Sequence, residues 1–167
     1  MDKERKVVLE KVYRNTKNIL QFIRKLGYAI EIPEQLKVGA EVGEYVLENA
    51  QAEIDEIKKI VKKSTFSSLG ILAKEDEYLS DFRQAFLVNQ KIHVMTMNEA
   101  QGVEFDVVIL VGIGQDASVD YAYMKDVELA EGKKRIEKDL LYVALTRAIF
   151  ELHVMGKEKL EDVVCIC

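Results

Sequence analysis

The chain has 167 residues, 49% hydrophobic and 32% charged, and its 24 basic and 29 acidic side chains leave a net charge of −5. That length fits one domain with a real core, and the acidic balance argues against a protein that wraps duplex DNA by bulk charge, leaving only local contacts to a few phosphates. The opening MDKERKVVLEK lacks the apolar run of a secretion signal, and no segment approaches the roughly 20 apolar residues of a membrane span, so the expectation is a cytoplasmic protein with no membrane contact.

Val7, Val8 and Leu9 form a short strand-like run. Behind them Ile19, Leu20, Phe22, Ile23 and Leu26 recur at helical spacing, with Asn15 or Thr16 placed to cap the helix and Gly27 to stop it. Residues 28–41 contain the only proline, Pro33, and read as a loop. EYVLENA, 44–50, reads as a short strand, and Ile54, Ile57, Ile60 and Val61 mark an amphipathic helix with lysines on its wet face. SSLGILAK, 67–74, reads as a buried strand, and EDEYLSDFRQAF as a helix with Tyr78, Leu79, Phe82 and Phe86 on one side. IHVMTM, 92–97, and DVVILVGI, 106–113, are the clearest strands. After a variable stretch, 114–134, the spacing of Leu141, Ala144, Leu145 and Ala148 predicts a helix that contains Arg147, and ELHVMG closes with a strand. Strands alternating with helices, the strongest strand apolar on both faces, predict an α/β fold in which helices cover a parallel or mixed sheet.

Ligands of open α/β sheets sit beyond the carboxyl ends of the strands, and three segments are expected to place polar groups there. They are Tyr13 and Arg14 of YRNT, the stretch TMNEAQGVEFD with Glu104, and Arg147. Two arginines, an aromatic ring and a carboxylate make half of a nucleotide pocket: guanidinium for phosphate, ring for base, carboxylate for ribose hydroxyls. Taken singly, each has a plainer reading. Arg14 can be an exposed helix-entry residue, Tyr13 an aromatic at the core's edge, Glu104 a solvated acid, and Arg147 a cation that complements a helix C-terminus. Two further patterns carry less. Cys165 and Cys167 have metal-ligand spacing but no neighbouring His or Cys to complete a shell. VVILVGIGQDA has the outline of a dinucleotide fingerprint, but residues 117–137 are too charged and irregular to supply its second strand.

Read together and in order, the three segments resemble the C-terminal motor domain of UvrD/Rep-type superfamily 1 DNA helicases. TMNEAQGVEFDVVIL resembles the family's motif V, T-x-H-x-A-K-G-L-E-F-D. LLYVALTRA matches motif VI, Y-V-A-x-T-R-A, without a gap, and VYRNTKNIL resembles motif IV, N-Y-R-S followed by a helix. The resemblance covers about residues 8–155 and implies a RecA-like fold, a mostly parallel sheet with helices on both faces. It implies that Tyr13 stacks on adenine, Arg14 meets the γ-phosphate, Gly102 lets the backbone approach the nucleotide, Glu104 faces ribose or phosphates, and Arg147 is the arginine finger. Thr96, Asn98 and Gln101 would line the single-stranded DNA track. Asn98 stands where the family often has His and Gln101 where it often has Lys, a change that removes one positive charge beside the nucleic acid.

The chain contains no G-x-x-x-x-G-K-[ST] loop and no strand ending in an Asp-Glu pair. The resemblance places both on an N-terminal motor domain, which would hold most of the Mg2+ contacts and complete the ATP site. The whole of 1–167 is then expected to be one C-terminal motor domain without the family's large inserted subdomain, inactive alone. The alternative is a degenerate, non-catalytic module that holds nucleic acid or a partner protein.

Overall fold

A computed structural model describes residues 14–114 and 138–163. The expected opening strand at Val7–Leu9, Tyr13 and the two cysteines lie outside the described residues. Helix α1 (Lys17–Lys25) starts at Thr16, whose hydroxyl accepts from the Ile19 N–H, so Thr16 rather than Asn15 is the cap. Strand β1 (Gly43–Val46) is shorter than expected, because Asn49 already caps helix α2 (Ala50–Lys63) by accepting from the Ala52 N–H at 2.9 Å. Strand β2 (Leu69–Ala73) follows and is buried throughout. The helix expected over 75–86 is two pieces, a 3-10 turn (Asp76–Leu79) and α3 (Ser80–Ala85). Then come β3 (Ile92–Thr96), β4 (Phe105–Ile113), α4 (Lys138–Leu145), β5 (Ala148–Gly156) and the short α5 (Leu160–Val163).

Among the described residues five strands form one sheet in the order β1-β5-β4-β2-β3, and every neighbouring pair is parallel. Burial on both faces is why β2 and β4 read as unbroken apolar runs. One core packs α1, α4 and α5 onto the sheet with Met97 and Ala100 of the β3–β4 connection. The other packs α2, the 3-10 turn and α3 through Ile54, Ile57, Leu79 and Phe82 against Leu69, Ile71, Val107 and Ile109. Tyr28, whose phenol donates to the Lys138 carbonyl at 2.6 Å and stacks obliquely near Tyr142, ties the loop after α1 to the start of α4.

The second core contains one carboxyl group. Glu53 of α2 is fully buried. Its Oε1 accepts from the Tyr78 hydroxyl at 2.7 Å and its Oε2 from the Gly112 N–H at 3.3 Å. Loss of hydration pushes its pKa up to about 7 despite the two hydrogen bonds, which act the other way.

Candidate functional site

A residue that immediately precedes a strand sits at that strand's amino end. Glu104 precedes β4 and Arg147 precedes β5, and the register pairs Phe105 with Ala148, so both stand side by side on the amino edge of the sheet. Arg14 joins them: its Nη1 lies 2.8 Å from Glu104 Oε1. The expectation that these groups gather beyond the carboxyl ends is therefore overturned. Arg14, Glu104 and Arg147 do converge, but at the opposite pole, because two of the three are strand-leading residues.

Backbone and side-chain bonds close this cluster into a ring. The buried Asn15 donates from Nδ2 to the carbonyls of Thr146 at 3.0 Å and Ala148 at 2.6 Å. Between those two, the Arg147 carbonyl accepts from the Phe105 N–H at 2.9 Å. Three consecutive carbonyls are thus held by residues adjacent in sequence to Arg14 and to Glu104, and the Arg14–Glu104 ion pair completes the circuit.

Arg147 is not within the helix, as expected, but in the two-residue turn between α4 and β5. Thr146 ends the helix by donating its hydroxyl to the carbonyls of Tyr142 and Val143, at 2.9 and 3.0 Å. The half-buried Arg147 then folds back, donating Nε to the Val143 carbonyl at 3.0 Å and Nη2 to Thr146 Oγ1 at 3.4 Å. It therefore does what a cation at a helix C-terminus does. No carboxylate pairs with it among the described residues, and three of the five guanidinium N–H donors remain.

Gly102 has φ +83°, the left-handed region, and a Cβ there would meet nothing within 4 Å. The backbone on that side is open, and the glycine is required by its conformation rather than by crowding.

Thr96, Asn98 and Gln101 form a separate group at the carboxyl end of β3. The Gln101 amide donates to Asn98 Oδ1 at 3.2 Å. Thr96 is engaged with Glu99: the carboxylate accepts from the Thr96 N–H at 2.9 Å and its hydroxyl at 3.3 Å, and the hydroxyl accepts from the Glu99 N–H at 3.1 Å. The polar groups on this turn are thus two neutral amides and one carboxylate. The β3–β4 connection carries the chain from this pole to the amino edge, so the two groups of residues are linked in sequence but lie at opposite ends of the strands.

Comparison with known proteins bears on this arrangement. The family model for the UvrD-like helicase C-terminal domain matches residues 68–159, more than half of the chain. The chain belongs to this family.

Within this UvrD-like domain the match takes in Thr96, Asn98, Gln101, Gly102, Glu104 and Arg147, whereas Arg14 and Asn15 lie before it. Among solved structures, the C-terminal domain of a possible DNA helicase from Lactobacillus plantarum WCFS1 is similar over 87% of this chain and 88% of that one, with a TM-score of 0.57 at 18% identity. That similarity concerns fold, and with the all-parallel five-stranded sheet it makes the UvrD-like domain RecA-like α/β. No curated protein matches the sequence significantly. No helix among the described residues is long and apolar enough to cross a membrane, and no cluster of three His, Cys, Asp or Glu side chains capable of holding a metal occurs among them.

Asn15 is the residue whose part in the cluster the sequence did not announce. Its only local reading is as a helix cap, and its two partners are 131 and 133 residues away.

Proposed function

We propose that this domain is the C-terminal half of an ATP-dependent DNA helicase or translocase, with Arg147 as the arginine finger. The observation that carries the reading is the amino-edge ring, which holds two guanidinium groups on one rim with Arg147 free of any carboxylate among the described residues. Such a rim suits an anionic polyphosphate: Arg14 would meet the γ-phosphate once it leaves Glu104, and Glu104 would then be released to accept from ribose hydroxyls. Gly102 leaves the neighbouring backbone approachable, and Tyr13, just upstream of Arg14, would stack on the adenine. Arg147 stabilises charge that develops on the transferred phosphoryl group, a role that does not require it to bind or release a proton. The Mg2+ contacts and the phosphate-cradling loop would belong to an N-terminal RecA-like motor domain. Single-stranded DNA would run past Thr96, Asn98 and Gln101, with few phosphate contacts and strong salt sensitivity. Chain 1–167 is read as one such motor half without an inserted subdomain, working in the cytoplasm.

A second reading, a non-catalytic binding module, is favoured by a specific observation. Arg14 is satisfied by Glu104 and Arg147 rests on a helix-end carbonyl, an arrangement that needs no nucleotide. One experiment separates the two. In a protein that joins this domain to its P-loop-bearing motor domain, Arg147→Ala should reduce DNA-stimulated ATP hydrolysis by about 10³-fold or more while this domain alone shows no turnover. Equal rates for mutant and parent would leave the binding module as the better account.

A further inference from the structure

The structure assigns Asn15 as the positioning residue for Arg147, an inference that rests on the arginine-finger reading. An arginine can act on a phosphate only if its backbone is fixed, because misplacement by about 1 Å costs on the order of a hundredfold in rate. Arg147 lies in the turn after α4, whose end grips it from one side: its N–H donates to the Ala144 carbonyl at 3.2 Å and its Nε to the Val143 carbonyl at 3.0 Å. On the other side its own carbonyl is bonded to the Phe105 N–H and the carbonyls that flank it are bonded to Asn15 Nδ2, which ties the turn to the sheet and to α1.

The chemistry of Asn15 suits this task and few residues could replace it. A single amide nitrogen supplies two N–H donors, and here both meet carbonyl oxygens two residues apart in sequence. Aspartate has the same shape but only acceptors, and would face those carbonyls with like partial charge. Asn15 is itself anchored. Thr16 beside it is buried and caps α1, while the first free N–H groups of that helix, from Lys17 and Asn18, donate to the carbonyls of Lys37 and Val38 at 2.6 and 3.0 Å.

The test is a double-mutant cycle in the protein that joins this domain to its P-loop-bearing half. Asn15→Asp should lower kcat roughly a hundredfold with little change in KM for ATP. Asn15→Ser, which keeps one donor, should recover part of that loss. In an Arg147→Ala background, Asn15→Asp should have no further effect, since it acts only through Arg147. An equal loss in both backgrounds would show a structural role and overturn the inference. If Arg147→Ala is inactive and Asn15→Asp turns over like the parent, the inference alone falls. If Arg147→Ala turns over normally, the arginine-finger reading falls and takes the positioning role with it. A second measurement guards against variants that fold poorly. In the isolated chain, 15N relaxation at Arg147 Nε should show greater mobility in Asn15→Ser than in the parent at unchanged thermal stability, and identical relaxation would overturn the assignment.

Discussion

Replacing Glu53 by glutamine should alter how the domain's stability depends on pH. The carboxyl group is fully buried between α2 and the end of β4, and burial raises its pKa from 4.5 to about 7. The folded form therefore binds the proton more tightly than the unfolded one. Its contribution is fully present below about pH 4.5 and is lost as pH rises through 7, where charging a dry carboxylate opposes folding. A shift of this size corresponds to about 3 kcal/mol, of which roughly 2.5 kcal/mol falls between pH 5 and pH 8. Glutamine keeps the shape and does not titrate. The difference in unfolding free energy between parent and Glu53→Gln should thus move by about 2.5 kcal/mol in the variant's favour across that range. In a domain this long that is a relative Tm change of roughly 5–10 °C. Urea melts or calorimetry of the isolated chain at pH 5, 6, 7 and 8 would read it, and all other titrating groups cancel in the difference. Parallel stability curves for the two proteins would refute the argument. They would mean that the Tyr78 hydroxyl and the Gly112 N–H compensate for the lost hydration and leave Glu53 an ordinary carboxylate.

Other substitutions address the two ends of the sheet. Gln101→Lys, which adds a cation to a turn whose polar groups are now neutral or acidic, should steepen the salt dependence of single-stranded DNA binding by about 0.7 in the logarithmic slope; fluorescence anisotropy at several salt concentrations measures it, and an unchanged slope places that turn away from DNA. Glu104→Gln should change thermal stability by no more than about 1 kcal/mol, because the Arg14–Glu104 pair is exposed, yet tighten binding of inorganic tripolyphosphate by freeing Arg14; weaker binding in a calorimetric titration would show that Glu104 helps to hold the anion. Gly156→Ala should be far more damaging than Gly102→Ala: its Cβ would overlap the Ile113 backbone, whereas at Gly102 the new methyl meets open space and the cost is only the left-handed backbone, about 1–2 kcal/mol. Comparable melting temperatures for the two variants would contradict the close β4–β5 approach.

The strands were legible because burial on both faces leaves an unbroken apolar run, which β2 and β4 show and no competing element imitates. Helix ends were less so. The apolar spacing of Leu141, Ala144, Leu145 and Ala148 continues past Leu145, but side-chain bonds from Thr146 and Arg147 to the carbonyls of Tyr142 and Val143 end the helix there, and periodicity does not register such bonds. Likewise Asn49 ended a strand expected to run to residue 50. For the site, apolar runs and motif order point to the carboxyl ends of the strands, whereas the structure sets Arg14, Glu104 and the turn that carries Arg147 on the amino edge. The signal was present, since Glu104 and Arg147 each stand just before a strand and a parallel sheet puts such residues on its amino edge. Asn15 had no such signal, because nothing local marks an amide whose partners are more than a hundred residues away.

The observed place of Arg147 at a helix end and its proposed role as ligand of a phosphate do not exclude one another, and their magnitudes show how one side chain could serve both. A cation at a helix C-terminus contributes about 0.3–1 kcal/mol. A guanidinium–phosphate bond is charge-assisted on both sides and roughly twice as strong as a neutral hydrogen bond. An arriving phosphate can therefore outcompete the Val143 carbonyl, or can use the donors that remain while Nε stays where it is. Until then the carbonyl restrains the guanidinium near the rim and limits the conformational entropy lost when the anion binds. A purely structural arginine would have its activity and stability effects in proportion. Here Arg147→Ala should shift unfolding by no more than about 1 kcal/mol while removing orders of magnitude in turnover. That disproportion, rather than either number alone, distinguishes a finger that happens to cap a helix from a cap that happens to lie on a rim.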